Sequence, residues 1–496
     1  MNAPRSSRAR AALALALSAA LATPLAAGPA PSRPAASADD AQIVHVLNRL
    51  GYGARPGDVE AVRRIGVKAW IRRQLHPEQV PDPVPAAHLA ALETAGLGVA
   101  ELVRGYEVPR EAKREIQQRR ASLGEDASDA ERMGLRRELI AKYGAKMQGP
   151  PRQVVEELQQ AKLVRAVYSE RQLDEVLADF WMNHFNVYAA KGPLRFLTGV
   201  YEREVIRPHA WGRFEDLLRA TAKSPAMLFY LDNWLSADPA ASARPRNAGG
   251  RRRGLNENYA REILELHTLG VDGGYTQKDV TEVARVFTGW TISGLRGESP
   301  RFHFAPRLHA RGDKVVLGQR IAGGGIEEGE QVIRLLAAHP STARFLACKL
   351  ARRFVADEPP EALVERAAET YRRTGGEIRA VVETIVTSPE FLGPTYRAAK
   401  VKTPFEFAAS AVRAAGAEVT SARALARRVA EMGMPLYLQQ PPTGYKDTAD
   451  AWVSTSGLLA RLNLALDLAA NRLPGVRVDP ARADARVLGS PEFQRR

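Results

Sequence analysis

Two stretches place ionisable and amide groups inside apolar helical patterns. In Leu173 to Val187, Asp179, Asn183 and Asn186 recur at i, i+4 and i+7, and His184 lies between the directions of Phe180 and Trp181. In Gly254 to Trp290, a spacing of about 100 degrees per residue puts Tyr259, Ile263, Leu266 and Leu269 on one stripe, with Glu262 inside it and His267 on its shoulder. Polar groups on such faces need partners or water, since burying a bare carboxylate costs several kcal/mol, roughly.

Two kinds of chemistry fit these residue types. In the first, Asp179 acts as base or nucleophile and Glu262 as general acid across a cleft, as in glycoside hydrolysis, with His184 and Arg261 as further candidate catalytic groups. Asn183, Asn186, Asn256, Asn258 and Trp290 are then the candidate substrate-binding residues. In the second, His267, His303 and His309 gather with His184 and Glu262 around a divalent metal that activates water. Glu262 and His267 are not a local ligand pair, because on a straight helix they point about 140 degrees apart. The bland alternative is a binding or assembly protein whose polar motifs are structural networks. Nucleophilic catalysis by Ser or Cys has little support: no G-x-S-x-G elbow occurs, and Cys348 has no His at helical spacing.

The elements that must position these groups are mostly helices. Asn256 is placed to cap the Glu262 helix, Gly270 to end it, and Thr276 with Asp279 to form a capping box for a second helix over about Gln277 to Thr288. Thr403-Pro404-Phe405-Glu406 is another clear start. Alternation over Phe302 to Val316 predicts a β-hairpin presenting His303 and His309, with HARGD as its turn. The expected fold is mainly α, one large multi-helical body with a small β-hairpin.

Along the chain, residues 1–38 read as a signal peptide and flexible lead, 39–108 as the N-terminal helical part of the core, and 109–150 as a charged helical insertion. Residues 151–300 are the central core with the polar helices, 301–320 the hairpin, 321–472 the C-terminal helical part, and 473–496 a weakly ordered tail. Residues 235–254 predict a flexible loop carrying Arg251, Arg252 and Arg253, and GMPLYLQQPPTGYKDTADAW an irregular surface that closes over a site.

Arg5, Arg8 and Arg10 ahead of the apolar run Ala11 to Ala22 and Pro24 predict export to the periplasm or beyond. No later apolar run has the length of a membrane span. The lone Cys348, expected in the core, allows no internal disulfide. The formal net charge of +15 becomes +11 once residues 1–38, with four arginines and no acid, are set aside. Nucleic acid is an unlikely partner for an exported chain without zinc-finger spacing or a phosphate loop. An anionic glycan or other envelope polymer suits a basic exported surface better.

The segments LADFWMNHFNV, GLNENYAREILELHTLGVDGGYTQKDVTEVARVFTGWT, FHFAPRLHARGDKVVLG, AAHPSTARFLACKLARRFV and KVKTPFEFAASAVRA succeed one another in order. With them, the chain from His45 to Ala470 resembles the bacterial family catalogued as domain of unknown function 1800. The resemblance implies export and a sulfatase-like neighbour protein, but no established reaction. Where such proteins usually read His-Asp after the first hairpin strand, this chain has His309-Ala310, which removes any role that needs both groups.

Overall fold

The computed structural model describes residues 38–123, 128–144, 147–241, 254–295 and 299–496. The expected signal segment up to residue 37 and the triplet Arg251 to Arg253 lie outside the described residues. The chain divides into Met1–Ala41 and Gln42–Arg496, and the second unit carries the helical body. That body is a mainly α, multi-helical fold with small β-hairpins. Helices pack on helices around one contiguous apolar core that includes Trp181, Phe185, Phe214, Tyr259, Phe354 and Phe407. Arg110–Leu123 and Asp129–Tyr143 pair over their own small cluster of Ala112, Leu139 and Tyr143.

The helix starts obey the local chemistry. The Asn256 side chain accepts from the Tyr259 N–H at 3.1 Å, and the Thr276–Asp279 and Thr403–Glu406 boxes are both formed. The helix Glu257–Leu264 does not run straight on, however. Its last turn, Glu265–Leu269, is a π-helix, in which the Gly270 N–H donates to the Glu265 carbonyl and the Thr268 hydroxyl to the Ile263 carbonyl. The wider turn shifts the phase of the stripe. His267, Thr268 and Leu269 enter the core, whereas Leu266 stays half-buried.

The β structure differs from the expected single hairpin. Phe302 belongs to the strand Arg301–Phe304, which pairs backwards with Trp290–Ser293, whereas Lys314–Val316 pairs forwards with Gln319–Ile321. Pro306 opens a short 3₁₀ turn between the two pieces, and its missing N–H cannot extend a ladder. Leu317 and Gly318, at φ 50 and 74, make the tight turn of the second hairpin. Period-two alternation marks strands without naming their partners.

The segment 473–496, expected to be weakly ordered, is docked. Val476–Arg477 pairs with Glu418–Val419, Lys402 and Gln494 join backbones, and the Arg496 side chain is buried against Glu406. Two hydrogen bonds between the Lys400 and Arg496 backbones close the same edge.

Candidate functional site

Three helical pieces meet at His184, the last residue of the Gln172–His184 helix. Its Nε2 lies 3.1 Å from the backbone carbonyl of His267 in the π turn, so that nitrogen carries the hydrogen and donates. Nδ1 is then an acceptor, and Lys349 of the Pro340–Phe354 helix donates to it at 2.9 Å. Burial first, then the charge of Lys349, hold the His184 imidazole well below its ordinary range, so it stays neutral. His267 is lowered to about 3 for the same two reasons. Gly270, at φ 82, ends the π turn against the Phe345 ring, where an added Cβ would come within 3.0 Å.

Asn183 and Asn186 fasten a loop across this meeting point. The Asn183 side chain donates to the Tyr445 carbonyl at 2.8 Å and accepts from the Tyr445 N–H at 2.7 Å. Asn186 donates to the carbonyls of Gln439 and Pro441 at 3.0 and 2.9 Å. The loop comes this close because residue 444 is glycine at φ 69, where a Cβ would lie 2.3 Å from the Asn183 carbonyl oxygen. The polar ridge read from the sequence thus holds one wall in place.

Between that wall and the helices is a cavity of about 350 Å³. Asp179, Asn183, His184 and Asn186 line it, together with five cations, Lys162, Lys349, Arg352, Arg353 and Lys446, and one further carboxylate, Asp447. Both carboxylates are already engaged: Asp179 by Lys162 at 2.5 Å, and Asp447 by Lys400 and Arg496 at 3.4 and 3.6 Å. Arg353 is paired with Glu406 beneath the cavity. Burial opposes ionisation of Glu406, yet Arg353 and Arg496 outweigh it and hold the carboxyl at about 2. Lys349 and Arg352 have no carboxylate partner among the described residues. Arg352 donates to the Asp357 carbonyl, and Lys349 donates to the imidazole and stands 5.4 Å from the centre of the Phe345 ring. Burial, and next the neighbouring Arg352 charge, bring the Lys349 ammonium down to about 8. The cavity is therefore an electropositive site with ammonium and guanidinium donors to offer.

The remaining sequence candidates go elsewhere. Glu262 is half-buried and does not line the cavity; burial first, then the Glu265 carboxylate, push it up to about 7. Its charge still reaches Tyr230, whose hydroxyl donates to the Gln440 carbonyl in the loop. Arg261 donates to Gln277 at the surface. Asn256 caps its helix and donates to the Leu231 carbonyl, and Asn258 is exposed in the first helical turn. Trp290 is fully buried, edge-on to Phe287 and Phe302.

The structure does not gather the proposed metal ligands. His303 is exposed on its strand, while His309 is buried between the Thr288 carbonyl at 2.9 Å and the Glu328 carboxylate at 3.0 Å. The ring centres of His184 and His267 are 6.2 Å apart, and each is held by core packing. Among the described residues, no three His, Cys, Asp or Glu side chains form a group that could hold an ion.

Sequence reasoning missed Lys349 and Arg352. Their signal was a basic ridge, Lys349, Arg352 and Arg353, at i, i+3 and i+4 on a helix treated as core around Cys348, which is itself half-buried. Such a ridge usually marks a solvated face, and only the loop packed over it makes it a cavity.

Fold and site together define a mainly α protein built around a cationic cavity. The chain belongs to the family of proteins of unknown function DUF1800, whose profile matches residues 45–494. No curated protein and no solved structure matches it. Among the described residues, no helix is long and apolar enough to cross a membrane.

Proposed function

We propose that this is an exported protein that binds the acidic groups of an envelope or extracellular polysaccharide, taking a carboxylate or sulfate into the cationic cavity. The supporting observation is that Lys349 and Arg352 line the cavity without a carboxylate partner among the described residues. A hydrogen bond to a charged group contributes about 1.5–3 kcal/mol, so two such donors give an oxyanion a strong reason to enter. Asn183, Asn186 and Gly444 serve the same end by fixing the wall that carries Tyr445 and Lys446.

Calorimetric titration with uronate oligomers, a sulfated glycan and a neutral glycan of equal length tests this reading. The acidic ligands bind, the neutral one does not, and Lys349→Met with Arg352→Met weakens binding by about tenfold or more. Equal binding of acidic and neutral chains, or no binding of either, overturns it.

One observation favours hydrolysis of the same polymer as a second reading. Burial and then the Glu265 carboxylate push Glu262 up to about 7, where a carboxyl can still give up a proton near neutrality. New reducing ends formed by the protein, and lost in Glu262→Gln and in Asp179→Asn, would establish it. Their absence with every ligand that binds leaves recognition alone.

A further inference from the structure

Among the described residues, five lysines are wholly or largely withdrawn from water, and four of them are accounted for. Lys162 is paired with Asp179, Lys314 with Glu328, and Lys400 with Asp357 and Asp447. Lys402 donates to the Ser410 hydroxyl at 2.7 Å and stands 3.9 Å from the centre of the Phe493 ring, and it does not line the cavity around His184. Lys349 combines what none of the others does. It faces the cavity, has no carboxylate within ion-pair distance among the described residues, and sits beside a second cation, Arg352.

Burial and the Arg352 charge favour the free amine, and the Asp447 carboxylate in the same cavity opposes them more weakly. Withdrawal from water and a neighbouring positive charge both disfavour the ammonium, as they do for lysines that act as nucleophiles. The His184 contact adds direction. Because Nε2–H is committed to the His267 carbonyl, Nδ1 presents a lone pair to Lys349, and one N–H of the amine is tied to it. The residue lines the cavity, and its nitrogen stands 5.4 Å from the centre of the Phe345 ring.

Resting on the reading of the cavity as an oxyanion site, we propose that Lys349 is a nucleophilic amine that captures a small aldehyde or ketone bearing a carboxylate, sulfate or phosphate. Arg352 and Lys446 hold the anionic group. The Lys349 nitrogen lone pair forms a bond to the carbonyl carbon while the carbonyl π pair moves onto oxygen. A proton passes from nitrogen to that oxygen, giving a carbinolamine. The nitrogen lone pair then forms the second C–N bond as the C–O bond breaks, the oxygen leaves as water with the second hydrogen of the nitrogen, and an imine remains, which hydrolysis reverses. No oxidant, reductant or further reactant is needed. His184 is a positioning residue in this scheme, since it orients the amine without meeting the carbonyl compound. A cavity of about 350 Å³ is of the size that encloses such a molecule.

Reductive trapping tests the proposal on the full chain. The protein is incubated with glyoxylate or pyruvate and cyanoborohydride, which fixes an imine as a secondary amine, and the adducts are mapped by peptide mass spectrometry. Lys349 is modified at least about tenfold faster than the exposed Lys68 or Lys278, inorganic sulfate slows that modification alone, and its rate rises with pH about a midpoint near 8. Lys349→Met abolishes the selective adduct and leaves the surface background unchanged. His184→Gln moves the pH midpoint of trapping at Lys349, which a merely structural role would not do. Modification of Lys349 at the rate of the surface lysines, in wild-type protein that still binds sulfate by calorimetry, overturns the amine role and keeps the anion site. Failure of both sulfate binding and selective trapping removes both.

Discussion

Among the described residues, Lys314 and Lys349 each belong to a buried cluster that holds a histidine, and the two have opposite surroundings. Under the Lys314–Val316 hairpin, Lys314 meets Glu328 at 2.5 Å, His309 meets the same carboxylate at 3.0 Å, and the backbone N–H groups of Gly324 and Gly325 complete the set. Burial would raise the Glu328 carboxyl, but the hydrogen bonds from His309 and Lys314 outweigh it and hold it at about 2. At the cavity, Lys349 has a histidine and, among the described residues, no carboxylate within ion-pair distance. The first cluster is complete in itself and fixes a hairpin. The second is left open on one side, and an incomplete polar cluster facing a cavity marks a site better than residue type does.

The largest expected effect breaks the closed cluster. Glu328→Gln leaves Lys314 buried with a poor partner and destabilises the protein by about 3–5 kcal/mol in urea unfolding. The effect depends on pH with a definite sign. Because the folded carboxyl is held at about 2, below its usual 4.5, its contribution is present above about 4.5 and is lost as pH falls towards 2. The variant should lack that acid-dependent loss. An unchanged urea midpoint in Glu328→Gln would erase the distinction between the two clusters.

Gly444→Ala comes next. The added Cβ meets the Asn183 carbonyl and the residue must hold a positive φ, so stability falls by about 1–3 kcal/mol and the anion site loosens with it. Thermal unfolding with and without sulfate separates the two effects. If sulfate stabilises the variant as much as the parent, the loop does not shape the site.

The same chemical change at the two lysines sharpens the comparison. Lys314→Met destabilises, because Glu328 loses its cation, whereas Lys349→Met stabilises by about 1 kcal/mol, because a desolvated charge without a carboxylate is removed. The pH dependence agrees. The Lys349 ammonium is lowered to about 8 from 10.5, so the unfolded chain binds more protons between those values and stability rises with pH across that window. The difference between the parent and Lys349→Met curves should show that rise. Destabilisation by Lys349→Met would assign Lys349 to the structural class.

Glu262→Gln gives the smallest change. The folded carboxyl at about 7 lies above its usual 4.5, so its contribution is present below about 4.5 and falls away as pH rises to 7. The variant should keep a flatter stability curve over that range, measurable by urea unfolding at pH 4.5 and 7.5.

Much of this was legible in the residues, and the rest fails for local reasons. Caps at Asn256, Thr276 and Thr403 were readable because their partners lie within three residues. The ridge Asp179, Asn183 and Asn186 was visible as polarity against an apolar background, but its partners are more than 250 residues away for the two asparagines. Sequence spacing gives a direction for a side chain and no information about what arrives there. The phase of Glu262 and His267 was misjudged because a π turn adds a residue that a regular period does not contain. Strand alternation over Phe302 to Val316 was real, yet the two pieces chose different neighbours. Lys349 and Arg352 were unreadable as site residues, since a distant loop turns their helix face into a wall.

The pair Arg110–Leu123 and Asp129–Tyr143 has its own apolar cluster, and its two flanks are tied by a backbone hydrogen bond from Gln148 to Gly105 at 2.8 Å. The chain leaves the body and returns to it at nearly one point. That base is a natural splice junction, where a short turn can replace the excursion or a reporter domain can be grafted, while the cavity and its walls keep their covalent frame.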